Sequence, residues 1–262
     1  PVGPGATDTD VPVVPSEEVL PPTEVVTEPP ITPTDTPTLT PEPPVVIPLT
    51  VVFQENGDAY VWRDGGMVTR LTATGDVSGV FLTPDASTVL FKRGADYNYD
   101  LWAINVDGSN LRMLFADANF DALVAGQQNY LNAWPFPPGA AAYDFIPGTT
   151  QMAFITHYTI EGPGLPTNND LQILDYASGA HYTLLAPGTG SGALDYSPDG
   201  LWVALINGDN IEIMRSDGSD RRILLTFPFV YTYSEWTYFP KIVWRADSSG
   251  FRVIIPAQDP LG

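Results

Sequence analysis

The chain reads as an all-β protein, a β-propeller of four-stranded antiparallel blades preceded by a disordered Pro/Thr-rich stalk. Three observations predict it. Short apolar runs alternate with turns built from Gly, Asp, Asn and Pro across residues 50–255. A Gly-containing turn closing the third strand of each unit recurs at Gly65, Gly108, Gly179 and Gly218, a spacing of about 51 residues, close to the period of a four-stranded blade. No stretch of useful length carries helical periodicity. A β-sandwich would also supply many short strands, but it would not repeat one turn chemistry at one strand position.

Residues 1–48 hold 14 of the 27 prolines and nine threonines, with eight acidic residues and no Lys, Arg or aromatic residue. Such a segment cannot bury enough apolar surface to offset its chain entropy, so a disordered or polyproline-like stalk is expected. Fully extended at about 3.1 Å per residue, it would reach on the order of 150 Å.

From Thr50 the pattern changes. Residues 51–53, 58–63 and 67–72 read as three strands separated by Asn56-Gly57 and Asp64-Gly65-Gly66, both hairpin turns by composition. A complete four-strand unit follows over 77–82, 87–93, 100–106 and 111–115. A second covers 141–145, 151–156, 170–175 and 181–185, and a third 192–196, 201–206, 210–215 and 221–225. Residues 241–245 and 251–255 begin a further unit. Residues 49–262 therefore make about three full blades and two partial ones. An incomplete ring with exposed strand edges is expected.

Beyond residue 48, 23 acidic residues face 11 basic ones, a net charge of −12. A surface this acidic repels phosphate backbones, and Lys92-Arg93 and Arg221-Arg222 are its longest basic runs, so nucleic acid is excluded as a partner. Cysteine is absent, which removes disulfides and thiolate metal sites. No run approaches 18 apolar residues, so membrane attachment is expected only through an anchor outside this chain. The chain begins with Pro1 and not Met, and an upstream signal and lipid anchor are expected, placing an exported protein at the cell surface or outside the cell.

The Ser197-Pro198-Asp199-Gly200 turn, the run from Asp100 through Asp107-Gly108-Ser109, and Arg70-Leu71-Thr72 resemble TolB-type propeller repeats. The resemblance covers about residues 50–256 and lacks the α/β domain that precedes the propeller in TolB. It implies the fold. It leaves the task open, because such propellers occur in envelope proteins, in peptidases and in other surface proteins.

A hydrolase would need a nucleophile elbow, and none is present. Ser191 in Gly188-Thr189-Gly190-Ser191-Gly192 comes nearest but lacks Gly two residues before it, so a loop position between blades is expected. His157 and His181 are the only histidines and have no zinc spacing. Asp96, Asp100, Asp117, Asp121 and Asp170 could supply oxygen ligands to calcium, but with no EF-hand loop they read as scattered solvated carboxylates, and no cofactor is expected.

Strand parity locates the binding surface. In an antiparallel four-strand blade, first-to-second and third-to-fourth connections share one end. Second-to-third and blade-to-blade connections share the other. The first end receives the tight turns at Pro84-Asp85, Asp107-Gly108, Pro198-Asp199 and Asp217-Gly218. The second receives the insertions 94–99, 116–140, 157–169 and 226–240, which hold Tyr97, Tyr99, Phe120, Tyr130, Trp134, Phe136, Tyr158, Phe229, Tyr231, Tyr233, Trp236 and Tyr238. Roughly half of these aromatics are expected to fold inward, since large rings serve packing as readily as recognition. The predicted ligand-binding residues are Tyr97, Tyr130, Trp134, Tyr158, Glu161, Tyr233, Glu235 and Trp236. The expected function is non-enzymatic binding of a protein, peptide or glycan at the cell envelope. The alternative is the propeller portion of a prolyl-oligopeptidase-like serine hydrolase whose catalytic domain lies beyond residue 262.

Overall fold

Turn spacing sets the strands. A computed structural model describes residues 49–94, 98–125, 139–157, 167–229 and 237–255, all within the unit Ile47–Gly262; residues 1–48 lie outside the described residues. Strands β1 (Thr50–Glu55), β2 (Asp58–Arg63) and β3 (Thr69–Arg70) form a first sheet. The second contains β4 (Val77–Leu82), β5 (Thr88–Gly94), β6 (Tyr99–Asn105) and β7 (Arg112–Phe115). After helix α1 (Asp117–Val124), the third contains β8 (Gly139–Phe145), β9 (Gln151–His157), β10 (Leu171–Asp175) and β11 (His181–Leu185). The fourth contains β12 (Ala193–Tyr196), β13 (Trp202–Ile206), β14 (Asn210–Arg215) and β15 (Arg222–Thr226), and β16 (Ile242–Trp244) pairs β17 (Phe251–Val253) in the fifth. Every pairing is antiparallel between strands adjacent in sequence, so each complete sheet is one propeller blade.

Alternation along the middle strands builds the core, because side chains of period two reach both neighbouring sheets. On β5, Val89 and Phe91 pack toward the first sheet with Ala59, Val61 and Leu71. Leu90 turns the other way, into a cluster with Phe115, Met152, Phe154 and Leu174 of the second and third sheets. On β13, Val203 and Leu205 join Ile146, Leu171 and Ile173, while Ala204 and Ile206 join Ile211 and Ile242. A strand buried on both faces reads as a continuous apolar run, which is the form of Val89-Leu90-Phe91 and Val203-Ala204-Leu205-Ile206.

All four glycines that close third strands take positive φ, between 75° and 89°. Three of these turns, those of Gly108, Gly179 and Gly218, are held by an aspartate. Asp107 and Asp217 each accept from the serine two residues on, Oγ to Oδ1 at 2.6 Å, and Asp175 accepts from Ser178 Oγ at 2.9 Å. The first-to-second turns repeat the device. Ser197 Oγ donates to Asp199 Oδ1 at 2.6 Å, Thr83 Oγ1 to Asp85 Oδ1 at 2.6 Å, and Ser249 Oγ to Asp247 Oδ1 at 2.7 Å. Turns of successive sheets also touch: Asp199 N donates to Ser248 Oγ at 3.0 Å, and a Cβ on Gly200 would lie 2.3 Å from Pro147 O.

One expectation is corrected. Residues 117–124 form a helix although no helical period is legible, because eight residues bury only Phe120 and Val124, a single i,i+4 pair. Tyr99 and Phe120 are among the insertion aromatics that fold inward, as roughly half were expected to: they are core residues 5% and 2% exposed, packed edge to face at 5.4 Å. Among the described residues the three-stranded first sheet and the two-stranded fifth sheet do not pair with each other.

Candidate functional site

Three connections meet at one end of the second sheet: the approach to β4, the link from β5 to β6, and the exit from β7 into α1. They enclose a cleft of about 270 Å³ lined by Asp76, Arg93, Gly94, Asn98, Asp100, Trp102 and Asp117. Alternation on β5 sends Arg93 to this side and Lys92 to the other. Arg93 reaches Asp76 in a forked contact, Nε to Oδ1 at 3.1 Å and Nη2 to Oδ2 at 3.0 Å, and its guanidinium lies 4.8 Å from the Trp102 ring centre. Gly94 permits the close turn: its φ is 127°, and a Cβ there would sit 2.2 Å from Asn98 O.

The carboxylates of the cleft differ in state. Hydrogen bonds from Arg93, then from Thr74, hold Asp76 below the usual carboxylate range. Burial, then the charges of Asp121 and Asp100, push Asp117 up against the lowering effect of the Tyr99 amide. Asp100 Oδ1 accepts from Asp117 N at 2.9 Å and so caps α1 from a neighbouring strand. Trp102 Nε1 and Asp117 Oδ1 are buried without a hydrogen-bond partner among the described residues. A donor and an acceptor left unpaired beside a cleft suit a ligand that carries both functions, such as a hydroxyl.

Asp100 belongs to a series that sequence reasoning missed. Asp58 and Asp170 also open third strands. Asp58 is 3% exposed and accepts from Thr74 N at 2.8 Å, Gly75 N at 3.2 Å, Thr72 Oγ1 at 3.1 Å and Arg70 Nη2. Burial raises its carboxyl, but these bonds, led by Gly75 and Arg70, bring it below its ordinary value. Asp170, fully buried, accepts from Thr156 N and Oγ1, both at 2.8 Å, and from Gln172 Nε2 at 2.7 Å. The signal was an acid at or next to the start of all four third strands, Asp58, Asp100, Asp170 and Asp209, of which the first three reach distant partners.

All eight predicted ligand-binding residues, Tyr97, Tyr130, Trp134, Tyr158, Glu161, Tyr233, Glu235 and Trp236, lie outside the described residues. The five candidate calcium ligands do not form one set. Asp96 is outside the described residues, and Asp170 is not solvated but spent on its own network in another sheet. Among the described residues no three His, Asp or Glu side chains are placed to hold a metal ion. Ser191 is buried, with Oγ donating to Ala193 O at 2.7 Å. His181 bonds Gln172 Oε1 at 3.0 Å and stacks near Phe115 and Phe154, and burial lowers its pKa.

No family model matches the chain, and neither does any curated protein. Among solved structures it is similar to an oligogalacturonate lyase in complex with manganese, at 15% identity and a TM-score of 0.47, over 74% of this chain and 50% of that one. TolB from Acinetobacter baumannii gives 16% identity and a TM-score of 0.40 over 77% of this chain and 49% of that one. Oligogalacturonate lyase from Vibrio parahaemolyticus gives 14% and 0.43 over 64% and 42%. The chain spans half or less of each. At these identities and TM-scores the likeness assigns it no activity, substrate or partner.

Proposed function

We propose that this chain is a non-enzymatic, exported propeller that binds a protein, peptide or glycan through the end bearing its long connections. The acidic stalk 1–48 sets it off from an anchor outside the chain. The observation that carries this reading is the asymmetry between the two ends. Self-satisfied aspartate turns close one end, whereas the other keeps an open cleft with a stacked Arg93–Trp102 pair and two buried polar atoms that have no partner among the described residues. The insertion aromatics, Tyr130, Trp134, Tyr233 and Trp236 foremost, with Tyr97, Tyr158, Glu161 and Glu235, complete the proposed contact surface.

Arrays of defined glycans and of overlapping peptides test the proposal. Arg93→Ala and Asp117→Asn are expected to weaken whichever array hit the wild type gives by at least about tenfold, roughly 1.4 kcal/mol. Asp217→Asn, at the opposite end, is expected to leave it unchanged. No hit on either array, or equal loss from both ends, would overturn the reading.

A further inference from the structure

The Arg93 cleft carries chemistry that narrows its ligand. Arg93 and Asp100 stand opposite one another in the β5–β6 register, and alternation along β6 puts Trp102 on the same face. Asp117 is tied to that face through its amide, which donates to Asp100 Oδ1 at 2.9 Å. The two polar atoms without a partner among the described residues, Trp102 Nε1 and Asp117 Oδ1, therefore share one wall. Both are shielded from bulk water, so a ligand bond at either is gained without first breaking a bond to solvent.

Charge and hydrogen-bond sense rule out three kinds of ligand. Arg93 is already forked on Asp76, which leaves the carboxylates of Asp100 and Asp117 to repel an anion. A cation would bond Asp117 Oδ1 but has nothing to accept the Trp102 N–H. A trans peptide group carries a donor and an acceptor but points them in opposite directions, one of them away from the wall. Neighbouring hydroxyls offer both on one side, since each can donate and accept. The indole face is taken by the Arg93 guanidinium, 4.8 Å from the ring centre, so a ligand meets Trp102 at its N–H edge and not by stacking. At about 270 Å³ the cleft has the volume of about nine waters, room for one sugar ring.

We propose that the cleft binds the neutral end sugar of a glycan through two neighbouring hydroxyls, one donating to Asp117 Oδ1 and the other accepting from Trp102 Nε1. This rests on the reading that the long-connection end is the binding end, and it chooses the glycan over the peptide. The same carboxylates disfavour uronic acids.

Titration of the isotope-labelled full chain with the methyl glycosides of glucose and galactose and with their uronic acid counterparts, followed at the Trp102 indole N–H resonance, tests it. At least one neutral glycoside is expected to move that resonance and to bind at least about tenfold more tightly than its uronide. Trp102→Phe removes the N–H and keeps an aromatic ring under Arg93. It and Asp117→Asn are each expected to weaken the glycoside at least about tenfold. Where the smaller ring costs the variant its fold, the wild-type resonance decides alone. The proposal is overturned if neither glycoside moves the resonance, if a uronide binds as tightly as its glycoside, or if folded Trp102→Phe binds as wild type does. A peptide-array hit weakened by Arg93→Ala, with both glycosides inert, overturns the glycan assignment and leaves the broader reading standing. No array hit together with no glycoside binding overturns both.

Discussion

The two ends of the sheets use the same residue differently. At the tight-turn end, Asp107, Asp199, Asp217 and Asp247 satisfy a serine and an amide within two residues of themselves. At the long-connection end, Asp58, Asp100 and Asp170 reach partners 12 to 17 residues away and tie separate connections together. The first kind shapes a turn that water could also solvate. The second holds a buried or half-buried carboxylate that nothing else would satisfy. One end is therefore closed by local chemistry, and the other is held by tertiary chemistry around an opening.

Substitution separates the two. Asp170→Ala strands Thr156 N, Thr156 Oγ1 and Gln172 Nε2 in the interior and is expected to cost about 3 kcal/mol or more in urea unfolding. Asp217→Ala is expected to cost about 1 kcal/mol. Equal costs would break the distinction between the ends. Gly200→Ala sharpens it from the turn side. The residue sits at φ 70° and a methyl group would meet Pro147 O, so a loss of about 3 kcal/mol is expected, against about 1 kcal/mol for Gly108→Ala, which shares the positive φ but has open space. Equal losses at the two positions would show that contact between neighbouring turns is not what constrains that end.

The smallest expected effect is pH dependent. Serine hydroxyls hold Asp107, Asp199, Asp217 and Asp247 below the ordinary carboxylate range. Their contribution is present above the unfolded value and is lost as pH falls through the lower folded one. Asp195 on β12 behaves oppositely: burial, then the charge of Asp144, raise it to about 6, with Lys241 acting against them. Its stabilising state is the protonated one, complete below the unfolded value near 4 and lost as pH rises through about 6. Asp195→Asn is therefore expected to raise the urea midpoint at pH 7.5 and to have little effect at pH 4. A gain that is the same at both pH values would remove Asp195 ionisation as its cause.

Much of this architecture was legible without coordinates. The strands fall within two or three residues of the runs read from alternation, and the glycines at 65, 108, 179 and 218 mark the turns they were expected to mark, because hairpin turns and period-two burial depend on neighbours a few residues apart. The aspartate–serine pairs of the turns are local for the same reason. Helix α1, the inward fate of Tyr99 and Phe120, and the partners of Asp58, Asp100 and Asp170 were not legible. Each depends on which distant segment lies opposite, and an aspartate facing water looks in sequence like one that caps a helix from another strand. Lys92 and Arg93 show the limit most plainly. As neighbours in sequence they read as one basic pair, but the pleat of β5 sends one to a carboxylate and a tryptophan and the other into an apolar seam. Composition determined that the chain is acidic and its turn residues that it forms blades; only the packing of sheet on sheet decided that Arg93 meets a carboxylate and Lys92 the ring of Tyr99.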